Sequence, residues 1–123
     1  MNPNLEKLCR VASREVEATL AALPKPLRAQ AEKLPVTFDR QPNVDLQADG
    51  IEPDTLGLFT GPEFADEDHV TMPPQIILFL ENIWNFGGGS EEIFCEEVRT
   101  TFLHELGHYL GLDEDELTGR GLE

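Results

Sequence analysis

Positive charge is what this sequence has least of. Nine Lys and Arg stand against 24 Asp and Glu, a formal net charge of −15 over 123 residues. A surface of that sign repels phosphate backbones, so nucleic acid is not expected as a partner, and cations and basic or neutral substrates are favoured. The same acidity serves solubility. Cysteine is scarce as well. Cys9 and Cys95 lie far apart, form no CxxC pair and have no thiolate-zinc spacing, which points to two free thiols in a reducing, cytoplasmic setting. Long apolar runs are missing too. The longest block, Ile76 to Leu80, is the size of a strand and far short of the ~20 residues of a membrane span, so no membrane partner is expected. Glu6, Lys7, Arg10, Arg14, Glu15 and Glu17 break up any apolar stretch near the start, so no secretory signal is expected. There is no internal repeat and no low-complexity segment. The length suits one compact core, read as a single domain over residues 1–123.

Within that frame, apolar residues recur at helical spacing. Leu5, Leu8, Cys9, Ala12, Val16, Leu20 and Leu23 predict an amphipathic helix that Pro24-Lys25-Pro26 stops. A shorter helix is expected over Leu27 to Leu34, then a strand at Val36-Thr37-Phe38. Residues 40–55 are rich in Gln, Asn, Asp, Gly and Pro and read as loop. Leu56 to Thr60 forms a second short strand, and 63–72 an acidic loop. The third strand, from Gln75 to about Leu80, is continuously apolar, as a strand covered on both faces would be. Ile83, Trp84 and Phe86 follow as a packing cluster before Gly87-Gly88-Gly89. Ser90 then suits a helix N-cap with Glu91 and Glu92 in the first turn, and Gly111 suits the left-handed stop.

That last helix carries the chemistry. His104-Glu105-Leu106-Gly107-His108 continues as Tyr109-Leu110-Gly111-Leu112-Asp113-Glu114, an H-E-x-x-H-x-x-G-x-[DE]-[DE] pattern. At about 100° per residue, histidines four apart lie about 40° from each other on one side of a helix, one turn along. Their imidazoles can hold one metal ion, with Glu105 beside it as general base. Phe102, Leu103, Leu106, Tyr109 and Leu110 fall on one arc, and Glu97, Thr100, Thr101 and the two histidines on the other. The first arc packs; the second shows the histidines. A catalytic zinc commonly takes three protein ligands and keeps one position for water. The acidic turn after the helix supplies the third. Glu114, six residues past His108, leads, with Asp113, Asp115 and Glu116 as the alternatives. Glu105 would take a proton from water at the metal and return it to the leaving amine of a peptide. The substrate would lie along an exposed strand edge, at Leu56–Thr60 or Gln75–Leu80. His69 reads as a surface residue, and Tyr109 as core.

The stretch from Gln75 to Leu117, an apolar strand, a long helix and the run H-E-L-G-H-Y-L-G-L-D-E-D-E-L, resembles the small bacterial zincin-like metallopeptidases. The likeness reaches more loosely back to Val36 and to Leu56-Gly57-Leu58-Phe59. It implies an α+β, minimal zincin-like fold, with a small mixed sheet packed against a long C-terminal active-site helix and an N-terminal helix. It implies zinc on His104 and His108 and a peptidase role for Glu105. The chain departs from full metzincins in having an acid at the third-ligand position and no methionine after the motif.

The leading function is therefore a zinc-dependent peptidase of narrow substrate range, acting on a peptide or protein. A non-catalytic metal-binding or interaction domain is the alternative. A metal-dependent endoribonuclease is the third, since a bacterial rRNA-maturation family has a similar H-x-x-x-H-x-x-G-x-D-H pattern. Against it stand the missing final histidine, the presence of Glu105 and the charge of −15.

Overall fold

A computed structural model describes residues 4–61 and 74–111. The elements run α1 (Leu5–Ala21), α2 (Lys25–Ala31), β1 (Val36–Asp39), α3 (Val44–Ala48), β2 (Gly57–Thr60), β3 (Gln75–Phe79), α4 (Leu80–Phe86) and α5 (Glu91–Leu110). The three strands form one sheet in the order β1-β3-β2. β1 runs parallel to β3 with Val36 opposite Ile76, and β2 runs antiparallel to it with Phe59 opposite Ile76. The sheet is mixed, and the fold is α+β, as the resemblance implies.

The core lies between one face of this sheet and the helices. Leu8, Val11, Ala12 and Val16 of α1 meet Phe94, Val98, Phe102 and Leu106 of α5, with Ile76 and Leu78 of β3 beneath. Residues 5–21 form a helix because their apolar positions share one stripe and Asn4 caps the first turn, its side chain accepting from the Lys7 N–H at 2.8 Å. α5 starts in the same way at Ser90, whose hydroxyl accepts from the Ile93 N–H. It ends at Gly111, whose φ of 71° lies in the left-handed region that glycine enters without a Cβ penalty.

Several expectations shift. The second helix begins at Lys25 and not Leu27, because Pro26 falls in its first turn, where the missing N–H costs nothing. The expected loop of 40–55 contains α3, capped by the Asn43 side chain on the Leu46 N–H. The third strand stops at Phe79 and passes directly into α4. It is covered less evenly than a strand buried on both faces: Ile76 and Leu78 are buried, whereas Gln75 and Ile77 are half-buried. Of the expected packing cluster, Ile83 is buried and Trp84 sets its ring edge-on to Phe94 at 5.7 Å. Phe86 instead points outward and is 65 % exposed, since it closes the last turn of α4 beside the glycine run. Both cysteines are free, and burial pushes each thiol above its ordinary pKa. Among the described residues, no helix is long and apolar enough to cross a membrane.

Candidate metal centre

α5 is a single continuous helix, so His104 and His108 stand one turn apart on the same side. Both are exposed, and their ring centroids are 4.9 Å apart. Glu105 sits between them in a different environment. Its residue is only 8 % exposed, and its carboxylate is tied down at one end. Oε1 accepts a hydrogen bond from the backbone N–H of Phe59 at 2.9 Å, and Oε2 lies 4.0 Å from His104 Nε2. One oxygen is thus held by the sheet while the other faces the histidines.

This geometry fits a metal ion. One nitrogen from each imidazole and one oxygen from Glu105 lie within 4.8 Å of one another, on a side of the helix that solvent reaches. The two imidazole nitrogens suit zinc as ligands, with the Glu105 carboxylate beside them. The environment also alters Glu105. Burial, the largest influence, pushes its carboxyl above the usual carboxylate range, while His108, His104 and the Phe59 N–H oppose that rise.

The strand that holds Glu105 is β2, at the edge of the sheet among the described residues. Asn82 of α4 fixes the approach to it, donating from Nδ2 to the carbonyls of Pro53 and Thr55 at 2.8 and 2.9 Å. On its inner side, β2 bonds to β3, and the Phe79 N–H reaches the Leu56 carbonyl at 2.9 Å. The Phe59 ring lies against Tyr109, with centroids 5.8 Å apart. Tyr109 is buried, as its place on the apolar arc predicts.

The structure brings together His104, Glu105 and His108. Glu114, Asp113, Asp115 and Glu116, the candidates for the third ligand, lie outside the described residues, as does His69. One assignment changes. Thr101 was expected on the open arc with the histidines, yet it is buried, because β2 covers that flank of α5. The residues that sequence reasoning missed are Gly57 and Phe59. Gly57 carried a readable signal, since a lone glycine inside a strand often marks close approach of another backbone or element. The role of the Phe59 amide had none, because any residue there supplies the same N–H.

The sequence profile of the zincin-like metallopeptidases matches residues 31–122, most of the chain, including every described residue of the site. Comparison with curated proteins gives no match. With the three motif residues assembled on one helix beside a small mixed sheet, the chain belongs to the zincin-like metallopeptidase family.

Proposed function

We propose that this protein is a zinc-dependent peptidase of narrow substrate range, working in the cytoplasm on a peptide or protein, with Glu105 as general base. The observation that carries the reading is the state of Glu105. It is buried, anchored at one oxygen and turned toward two exposed histidines with the other. A solvated carboxylate in a chance motif would have no such anchor.

In this reading His104 and His108 hold the metal, and Glu114 supplies the third ligand. Zinc bound there acts as a Lewis acid, making water acidic near neutral pH and polarising a carbonyl. Glu105 takes the proton of the attacking water at Oε2 and delivers it to the departing amine. The substrate lies extended beside the outer edge of β2, in reach of Glu105, and the Phe59 N–H on that edge, already held by Glu105, is not among the groups that bind it. The net charge of −15 selects neutral or basic peptides and disfavours nucleic acid.

The test compares the zinc-loaded protein, the chelated protein and Glu105→Gln against a peptide library. Cleavage should require zinc and fall by about 10²- to 10⁴-fold in Glu105→Gln, with zinc affinity retained. Equal cleavage by wild type and the Gln variant would show the mechanism to be wrong.

A further inference from the structure

The flank of α5 next to the histidines is closed by strand β2, and the closeness of that contact has a specific cause. A Cβ built on Gly57 would lie 2.5 Å from Cγ2 of Thr101, 3.3 Å from Cδ2 of Leu78 and 3.4 Å from Cγ of Glu105. Carbon atoms at van der Waals contact stand about 3.5–4.0 Å apart, so a side chain there forces the buried Thr101 side chain, or the strand itself, to move. The Gly57 backbone is not in the left-handed region, so conformational freedom is not the reason for glycine at this position. Clearance is. Two residues along the same edge, the Phe59 N–H points away from β3 and is taken by Oε1 of Glu105. A hydrogen bond at 2.9 Å tolerates little displacement of the strand before it lengthens and weakens.

We propose that Gly57 and Phe59 are the positioning residues of the general base: the absent side chain at 57 lets β2 seat against α5, and the backbone N–H of 59 fixes the Glu105 carboxylate with its second oxygen toward the histidines. The proposal rests on the reading of Glu105 as the base. It makes the strand edge a part of the site's geometry, not only a surface for the substrate. A carboxylate fixed at one oxygen needs no reorganisation before it accepts a proton, and this preorganisation is what a misplaced strand would remove.

The experiment uses the full chain as wild type, Gly57→Ala and Gly57→Ala/Thr101→Ser, because serine deletes the Cγ2 that the new methyl meets and keeps the hydroxyl. Three quantities are read: hydrogen exchange at the Phe59 amide with and without zinc, zinc affinity, and kcat and KM on a peptide that wild type cleaves. Gly57→Ala should expose the Phe59 amide to exchange and lower kcat roughly ten- to a hundredfold, with KM and zinc affinity little changed. Thr101→Ser in that background should restore both protection and kcat. The proposal is overturned if Gly57→Ala exposes the Phe59 amide and leaves kcat unchanged, or if the loss of kcat comes with a loss of zinc that serine does not rescue. If wild type cleaves no peptide, the peptidase reading fails, and the anchoring contact is judged separately. Phe59 protection should then survive Glu105→Gln and vanish in Glu105→Ala; protection that persists in Glu105→Ala overturns it.

Discussion

Two flanks of one helix differ in almost every respect. On one, His104 and His108 stand exposed one turn apart on the helix, their ring centroids 4.9 Å from each other. On the other, Glu105, next to His104 in sequence, and Thr101 are buried under β2, and a backbone amide fixes the carboxylate. In the proposed reading the metal donors are set chiefly by their spacing on the helix, and the base by long-range packing. Changes on the first flank should therefore remove function without touching stability, while changes on the second should move both together.

The largest expected effect breaks the exposed flank. His108→Ala should abolish stoichiometric zinc binding, measured by metal titration, while the metal-free protein keeps its stability within about 0.5 kcal/mol, since the side chain is solvated. A loss of several kcal/mol would mean that the histidine flank is structural. Next comes the buried stripe behind the site. Leu106, fully buried between the two histidines in sequence, should cost about 2–5 kcal/mol when changed to Ala, read from denaturant unfolding of the metal-free protein.

The smallest effect concerns charge. The folded protein holds the Glu105 proton more tightly than the unfolded chain does, whose value is about 4.3. That contribution to stability is complete below pH ~4 and is lost as pH rises through the elevated folded value. Glu105→Gln keeps an oxygen for the Phe59 N–H and cannot ionise. In chelator, wild type and the Gln variant should melt together near pH 4, and wild type should melt lower than the variant at pH 8. The same melting difference at both pH values would show that burial does not disfavour the carboxylate.

What the sequence makes legible follows the same division. Helix α5, its Ser90 cap and its Gly111 stop are readable because capping and periodicity are local. So are the histidine pair and the core assignment of Tyr109. The burial of Thr101 is not readable, because it depends on where a strand more than 40 residues earlier comes to rest. Polar residues at 101 and 105 look solvated on any helical projection until β2 is laid over them. α3 is missed for another reason: five residues between Asn43 and Asp49 give no periodicity to detect, and only the Asn43 cap marks the start. Phe86 misleads because its neighbours Ile83 and Trp84 do pack, while it sits one turn too late to follow them.

The coordination shell of the zinc-loaded protein tests the central claim most directly, and a crystal structure with the metal bound would display it. The account predicts zinc on His104, His108 and Glu114, one position left for water, and Glu105 outside the shell with its hydrogen bond to the Phe59 N–H intact. A shell closed by four protein ligands, or one that draws Glu105 onto the metal and away from β2, would contradict it.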